Sequence, residues 1–391
     1  MSNKLKYILS LSAKFHNFEV AKILYKNSQL SKIICGYPWF KLKYEGIPKK
    51  YVSSNGIYNI LKFPFQDVSF AKKYLDYLGI LNKKNIDKQT LKIMQKCNDF
   101  DVLLGLAGVA LRSAQKIFNS DKIFICERSS SEIGFQDKLL SEEYKICNLK
   151  FNNTNPWFIE SEQEEYELAD VILTPSNFVK NSFEEKFQHK VKVINFGVNT
   201  NNFYKDNSIN KSDKYFDILF IGQISLRKGL HYLIEAFKNL KHTHKRLHIV
   251  GSHTLDKKFF KKKLNTENVI VYGHINHLKL NNIINKCHIF VLPSIEEGFA
   301  TVILQALSAG CPVIVSENTG AKEFVTDNNC GFVVPIRDSK AIQEKLELIA
   351  DNKNTIENLS YNAVKKMKDQ SWENYISKLN SIVSESTKFN N

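Results

Sequence analysis

Apolar residues along the chain follow two alternating patterns: short continuous runs rich in Val, Ile, Leu and Phe, and longer stretches with apolar positions three and four apart. The first pattern marks strands buried on both faces and the second marks helices that cover them, so their alternation predicts a doubly wound α/β protein. Residues 6–11 read as a strand, 16–27 as a helix and 32–35 as the next strand. Buried strands follow at 102–106, 122–126 and 171–173, with helices over 132–146 and from Thr174-Pro175-Ser176-Asn177 to 187, and an acidic-faced stretch over 160–170. A polar, Asn- and Lys-rich linker over 204–214 interrupts the pattern, which then starts afresh. Strands are expected at 216–221, 247–250, 269–272 and 288–293, with a helix ending at 240. Further α/β pattern runs through 320–325 and 331–335 to a helix over 339–350 and an amphipathic stretch over 372–384. At 391 residues the chain exceeds one ordinary core, which together with the restart at 216 predicts two domains.

The stretch HIFVLPSIEEGFATVILQALSAGCPVIV, residues 288–315, organises the second half. An apolar run closes at Pro293, and a polar loop then holds Ser294, Glu296, Glu297 and Gly298. Helical composition resumes at Thr301 and ends at Gly310, and Pro312 opens another strand, so the stretch is one βαβ unit. Gly298 lets the backbone turn tightly beside a ligand, and the first helical amides near Ala300 and Thr301 lack intrahelical partners, which suits them to phosphate oxygens. Glu297 stands at the helix mouth, while Thr301 and Gln305 lie at i and i+4 on one face, so all three line one crevice beyond the strand end. A second loop of this kind, Gly222-Gln223-Ile224-Ser225-Leu226-Arg227-Lys228-Gly229, follows the strand at 216–221. Glycine admits a close approach, and two cations at the loop's end can neutralise a diphosphate, Arg227 by its planar fork and Lys228 as a point charge.

The segment PSIEEGFATVILQALSAGCPVIVSENTGAKEFV resembles the donor-site signature of family 4 (group 1) glycosyltransferases of the GT-B fold. That signature is a Glu, seven residues and a second Glu; Glu297 fills the first place and Gln305 the second. Arg227-Lys228-Gly229 is similar to the family's Arg-Lys-Gly element, Asn195-Phe196-Gly197-Val198-Asn199 to its domain-crossing segment, and Val271-Tyr272-Gly273-His274 to the stretch whose backbone frames the base. The resemblance implies GT-B architecture: two Rossmann-like doubly wound parallel-sheet domains facing across a cleft. It assigns 1–205 to acceptor binding, 206–370 to the nucleotide sugar, and 371–391 to a terminal helix crossing back onto the first domain. The implied activity is a retaining, metal-independent hexosyl transfer from a UDP- or GDP-sugar to a glycan or lipid-linked acceptor in cell-envelope polysaccharide synthesis, with no cofactor. Glu297, Arg227 and Lys228 are the implied catalytic set, and Gly222, Arg227, Lys228, Tyr272, Gly298, Phe299, Ala300, Thr301 and Gln305 the donor-binding set. Glutamine at position 305 keeps an amide that binds ribose hydroxyls but loses the family's charge.

On the acceptor side the candidates are His16, at a helix start where a family subgroup carries Phe-His, and Glu127, Arg128 and Ser130 at the carboxyl end of the strand over 122–126. Each has a structural reading beside it: a cap for His16, and capping of the next helix for the residues after the strand. Asp99-Phe100-Asp101 spells the metal-binding DxD of another glycosyltransferase fold, but it precedes its strand and reads as a helix-to-strand turn. No zinc-ligand spacing and no Ser/His/Asp arrangement is evident.

Charge adds a partner. The first hundred residues hold 18 basic and 6 acidic side chains, a net +12, most of the chain's +15. A helix over 70–81 places Phe70, Tyr74, Leu78 and Leu81 on one face beside Lys72, Lys73, Lys83 and Lys84, a pattern suited to the surface of an anionic membrane as well as to an ordinary core-facing helix. Seven scattered cysteines without a CxxC pair fit free thiols in a reducing compartment, and the N-terminal apolar run is too short for a signal peptide, so a cytoplasmic location, peripheral on the inner membrane face, is expected. An epimerase of the same architecture and a non-catalytic nucleotide-sugar or polyanion binder remain as alternatives; no nucleic-acid-binding signature accompanies the charge.

Overall fold

The computed structural model describes residues 4–12, 14–62, 64, 71–252 and 256–386. The chain divides into two compact units, the first drawn from Met1–Phe135, Asn153–Asn195 and Trp372–Asn391, the second from Gln136–Asn152 and Phe196–Ser371.

The first unit is built on strands β1 (Tyr7–Leu11), β2 (Leu30–Cys35), β3 (Val52–Ser54), β4 (Val102–Leu106), β5 (Ile123–Glu127), β6 (Val171–Thr174) and β7 (Val191–Val193). They pair in parallel in the order β3-β2-β1-β4-β5-β6-β7. The second unit has β8 (Phe216–Ile221), β9 (Lys245–Val250), β10 (Val269–Gly273), β11 (Ile289–Leu292), β12 (Val313–Ser316) and β13 (Gly331–Val334), parallel in the order β10-β9-β8-β11-β12-β13. Strand order reverses between β1 and β4 in one sheet and between β8 and β11 in the other, the positions at which open α/β sheets hold ligands beyond the strand ends.

The helices in chain order are α1 (Asn17–Lys26), α2 (Trp39–Leu42), α3 (Ile57–Lys62), α4 (Lys72–Lys96), α5 (Leu111–Ile117), α6 (Ile133–Ile146), α7 (Pro156–Leu168) and α8 (Asn177–Asn181). Then come α9 (Leu230–Asn239), α10 (Lys257–Leu264), α11 (His277–Lys286), α12 (Thr301–Ser308), α13 (Lys322–Asp327), α14 (Ser339–Ala350), α15 (Lys353–Met367) and α16 (Trp372–Ser384). The expected alternation of β and α is therefore present in both units, and no helix among the described residues is long and apolar enough to cross a membrane. All seven cysteines are free thiols.

Several elements differ from expectation for identifiable reasons. The helix expected over 70–81 is the beginning of a 25-residue α4, and Phe70 lies outside the described residues. Lys83 does not end it, because its ammonium is taken up by Glu162 at 3.2 Å and by the Ala107 carbonyl at 3.3 Å. The helix expected to reach 187 stops at Asn181, since the Ser182 hydroxyl turns back onto the Val179 carbonyl at 2.6 Å and accepts from the Glu132 amide at 2.7 Å, a competition that favours an end over continuation. The segment over 204–214 is no free tether. Within the second unit, the Tyr204 and Asp206 amides donate to Asn281 Oδ1 and Asn285 Oδ1 at 3.2 and 2.8 Å, and Ser308 Oγ donates to the Phe203 carbonyl. The Asp99-Phe100-Asp101 triplet lies in the turn between α4 and β4, where Phe100 is buried and Asp101 Oδ2 accepts the Lys6 amide at 2.8 Å.

α16 joins the first unit through Trp372, Tyr375, Ile376, Leu379 and Val383, a 3–4 spaced stripe that is wholly buried. Burying residues of this size contributes roughly 1.5–3 kcal/mol each. Its register is fixed by polar contacts, Tyr7 Oη donating to Asn380 Oδ1 at 2.7 Å and Gln29 Nε2 to the same oxygen at 3.2 Å.

One face of the second sheet carries a polar chain. Asp217, 2 % exposed, receives both Arg246 Nε and Nη2 at 2.6 and 2.8 Å and meets His248 Nε2 at 2.8 Å; His248 Nδ1 in turn meets the Tyr272 hydroxyl at 2.8 Å. Burial alone raises the Asp217 carboxyl, but the His248 and Arg246 hydrogen bonds outweigh it and hold the pKa at about 2. Because the folded value lies below the unfolded one, this stabilisation is complete above pH 4 and disappears as pH falls through 2. Asp217→Asn is expected to cost about 1–2 kcal/mol of second-unit stability in urea unfolding at neutral pH. It should also flatten the loss of stability between pH 4 and 2; an unchanged acid limb would remove Asp217 as its source.

Candidate active site

The loop after β8 enters a single 3₁₀ turn, Leu226–Lys228, and leaves it through Gly229 at φ +66°. Glycine is required there twice over, because a Cβ would sit in the left-handed region and 1.8 Å from the Pro293 carbonyl oxygen. That close approach brings the loop after β8 against the loop after β11. The Ile295 amide donates to the Arg227 carbonyl at 2.9 Å, so the backbones of the two loops are joined where their charged side chains begin.

The side chains then pair. Arg227 Nη1 donates to Glu296 Oε2 at 2.9 Å and to the Glu296 carbonyl at 3.2 Å, and lies 4.0 Å from Glu297 Oε2. Lys228 Nζ donates to Glu297 Oε2. Glu296 is fully buried, and Lys228 and Glu297 are 9 % and 8 % exposed. Burial pushes the Lys228 ammonium below its ordinary value, with the neighbouring Arg227 adding to that, while Glu297 and Glu296 oppose both. Gln136 Nε2 donates to Glu296 Oε2 at 2.8 Å, completing a carboxylate that holds Arg227 from below.

A third loop, after β12, supports the second. Asn318 supplies its carbonyl to the Glu297 amide at 3.1 Å and its side-chain amide to the Ile295 carbonyl at 3.0 Å, and the Gly320 amide donates to the Glu297 carbonyl at 2.9 Å. On the other side, Asp256 Oδ2 accepts the Leu226 amide at 3.0 Å and Oδ1 accepts the Tyr144 hydroxyl at 2.7 Å. Two buried hydroxyls near the strand ends, Ser225 Oγ and Ser294 Oγ, have no protein partner among the described residues. The adjacent ends of β8 and β11 thus present two cations and two carboxylates in one constellation, braced by the loop after β12, a composition that can meet a diphosphate and sugar hydroxyls.

The structure brings Arg227, Lys228 and Glu297 together at the loops that also hold Gly222 and Gly298. Ala300 is the N-cap of α12 and has no side-chain cap, and Thr301 and Gln305 are half-buried on that helix, one turn apart. Phe299 points inward instead: its ring packs edge-on between Phe196 and Phe324, at 6.1 and 6.3 Å, so only its backbone borders the loop. Tyr272 also differs in surroundings, since its phenol is engaged with His248 on the sheet face. Glu296, Gln136, Asp256 and Asn318 were not expected; a second Glu beside Glu297 matching a second cation beside Lys228 is the one signal in the sequence that points to the first of them.

In the first unit, His16 occupies the N-cap of α1 but makes no side-chain cap bond. Its Nε2 instead bonds Glu127 Oε1, while Asn17 Nδ2 donates to Glu127 Oε2 at 2.5 Å and Ser129 Oγ to Oε1 at 3.4 Å. The His16 ring lies nearly parallel to Trp372, 9° apart with centroids at 6.1 Å. Arg128 turns away, donating Nε to the Ser131 carbonyl at 2.9 Å and Nη1 to Glu162 at 2.8 Å. Ser130 is half-buried in the same loop. Thus His16 and Glu127 form a carboxylate-oriented imidazole at the carboxyl ends of β1 and β5, and Arg128 belongs to a buried ion-pair network.

Residues 202–366, within the second unit, match the family model described as glycosyl transferases group 1. The chain is 28% identical over 221 residues to the capsular polysaccharide biosynthesis glycosyltransferase CapM of Staphylococcus aureus, a match covering 51% of this chain and 57% of the relative. Against the first of its curated relatives the chain thus spans little more than half of their length. Among solved structures, a sucrose-phosphate synthase from Thermosynechococcus elongatus superposes with a TM-score of 0.73 at 15% identity over 96% of this chain and 98% of that one. Anabaena HepE, solved in complex with UDP-glucose, gives a TM-score of 0.68 at 15% identity over 97% and 99%. At such identities the likeness establishes the fold, and the fold of this chain is the GT-B fold of two parallel-sheet Rossmann-like domains.

Proposed function

We propose that this chain is a glycosyltransferase that moves a sugar from a nucleotide-diphosphate donor to a glycan or lipid-linked acceptor with retention at the anomeric carbon. The observation that carries the reading is the convergence of Arg227 and Lys228 with Glu296 and Glu297 at adjacent strand ends, inside the segment matched to the group 1 model. In the structure both cations pair with carboxylates. A diphosphate replaces those carboxylates as their partner, and Glu297 is then released to hold sugar hydroxyls.

In the reaction, the bond from the anomeric carbon to the diphosphate oxygen breaks and the acceptor oxygen bonds that carbon on the same face. The acceptor proton passes to the departing phosphate. Arg227, Lys228 and the first amides of α12 stabilise the charge that develops on the leaving group, which lowers the barrier electrostatically and requires no divalent cation. Gln305 hydrogen-bonds the ribose. The donor class is a UDP- or GDP-sugar, a reading supported by the UDP-glucose bound to HepE, a protein of the same fold.

The acceptor belongs with the first unit, where Glu127 orients His16 and both lie at strand ends beside the β1–β4 reversal. Relatives named for capsule and lipopolysaccharide synthesis support an envelope glycan or its lipid-linked precursor as the acceptor. The same unit exposes Phe40, Tyr44, Ile57, Ile60, Leu61, Tyr74 and Tyr77 among the lysines of its first hundred residues. Apolar side chains interleaved with cations suit peripheral binding to an anionic inner leaflet, where such a precursor resides.

Replacing Arg227 and Lys228 with Ala is expected to weaken nucleoside-diphosphate binding by roughly 1.5–3 kcal/mol per lost charged contact, read by calorimetry. A folded double variant with unchanged affinity would overturn the donor assignment. Turnover should persist in excess EDTA, and a complete loss restored by manganese or magnesium would contradict the metal-free mechanism.

Gln305→Glu should remain active, whereas Gln305→Leu should raise the donor Michaelis constant with a smaller effect on turnover, because a ribose hydroxyl loses its partner. Equal donor binding by the Leu variant would make Gln305 structural.

Co-sedimentation with vesicles should favour anionic over neutral lipid, with a contribution of about 1 kcal/mol per surface lysine that fades as salt shortens the roughly 10 Å screening length. Equal binding to both lipids at low salt, or binding to neither, would remove the membrane from the proposal.

A further inference from the structure

Behind the loop after β8, and separate from its charged pairs, three side chains of different chemistry converge. Glu143 and Cys147 lie four residues apart at the end of α6 and so share one face, and His231 stands on the first turn of α9. His231 Nε2 is 2.8 Å from Glu143 Oε1, and Cys147 Sγ is 3.8 Å from each of them. All three ligand atoms fall within 4.8 Å of one another.

We propose that Glu143, Cys147 and His231 form a binding site for a thiolate-accepting divalent cation, zinc being the ion whose geometry they fit. Tetrahedral zinc with ordinary bond lengths places its N and O ligands about 3.3 Å apart and its sulfur about 3.5 Å from either. The observed triangle reaches that shape when its N–O edge opens by about half an ångström and its two sulfur edges close by about 0.3 Å. A thiolate, an imidazole and a carboxylate together select zinc over magnesium or calcium, which take oxygen ligands.

The surroundings orient the ligands. Arg337 Nε holds Glu143 Oε2 at 2.8 Å, which turns Oε1 toward the other two, and the Tyr232 hydroxyl steadies Oε1 at 3.0 Å. Cys147 is half-buried, which gives the ion an entry path and leaves a fourth coordination place for water. On binding, the Cys147 thiol releases its proton to solvent, and the imidazole proton moves from Nε2 to Nδ1 so that Nε2 can coordinate. His231 is two residues beyond Gly229, and Tyr144, beside Glu143, reaches the Leu226 amide through Asp256. A cation at this place therefore fixes the base of the loop that carries Arg227 and Lys228. The site itself stands whether or not that loop binds a nucleotide sugar.

The test is titration of the metal-free, reduced full-length chain with cobalt(II) as a spectroscopic stand-in for zinc. One equivalent should bind with near-ultraviolet thiolate-to-cobalt charge transfer, and zinc should displace it. Cys147→Ser should abolish that absorption, and His231→Gln should weaken cobalt binding at least tenfold, both with the wild-type circular dichroism spectrum. In the wild-type chain, zinc should slow alkylation of Cys147 identified by peptide mapping, a readout that does not depend on any variant folding. Absence of stoichiometric binding, charge transfer that survives Cys147→Ser, or alkylation of Cys147 unaffected by zinc would each overturn the site.

Discussion

Four charged side chains at the ends of β8 and β11 cannot be buried singly. Removing a carboxylate or an ammonium from water costs several kcal/mol, and the cost is met only where an opposite charge and further hydrogen bonds stand in the right place. Glu296 is wholly enclosed, so Arg227 and Gln136 must both reach it; Lys228 is nearly enclosed, so it must have Glu297. These pairings in turn demand that the two loops approach closely, which is possible because Gly229 has no side chain to meet the Pro293 carbonyl. The position of one glycine, the burial of one carboxylate and the availability of two cations to an anionic ligand are thus a single constraint. The loop after β12 adds to it, since the Asn318 carbonyl and the Gly320 amide fix the Glu297 backbone on both sides.

The first unit solves the same problem differently on one helix. Glu162 and Glu165 on α7 are both buried, three residues apart. For Glu162, burial raises the carboxyl but Arg128 and Lys83 outweigh it, and the group stays below the ordinary carboxylate range. Glu165 has no ion pair with a cation among the described residues. It accepts the Gly108 and Ala110 amides and the Cys126 thiol, and burial outweighs the amides and the more distant Lys83 to carry its pKa up to about 8. Arg128 is therefore engaged by the interior, whereas Glu127 gathers His16, Asn17 and Ser129 at the strand ends.

The fold was legible because parallel strands buried on both faces are conspicuous as apolar runs; β1, β4, β5, β8, β11 and β12 all fall on such runs. The charged loops after β8 and β11 were legible because glycine, adjacent cations and a helix start are local features. What was hidden depends on partners distant in sequence. Glu296 reads as one more solvated acid until its burial is seen, and nothing near Gln136 or Asp256 announces that residues 136–152 pack with the second unit. The length of α4 was hidden for the same reason, since Lys83 breaks an apolar face unless Glu162, 79 residues away, is there to receive it. Tyr272 lies in a motif whose backbone carries the resemblance, whereas its side chain answers to Asp217 and His248 on neighbouring strands.

The chain's net charge follows from how these pairings are distributed. In the second unit's loops Arg227 and Lys228 are matched one to one by Glu296 and Glu297, so the constellation is close to neutral and exerts little long-range attraction. In the first hundred residues the 18 basic side chains have only 6 acidic neighbours in sequence, and lysines there lie over aromatic rings: Lys41 over Tyr37 at 5.5 Å, Lys43 over Tyr44 at 4.8 Å and Lys50 over Tyr51 at 5.3 Å. Cation–π contacts at exposed sites are worth only about 0.5–1 kcal/mol, too little to account for so many cations as stabilising elements. Their effect on the fold is small and their effect on the field is large, because unmatched charge attracts anions over a screening length, whereas a buried pair acts only on what touches it. The paired loops of the second unit and the basic first hundred residues thus show two kinds of electrostatics, one short-ranged and selective, the other long-ranged and indifferent to detail. The first kind suits a small ligand held in contact, and the second suits an extended anionic surface.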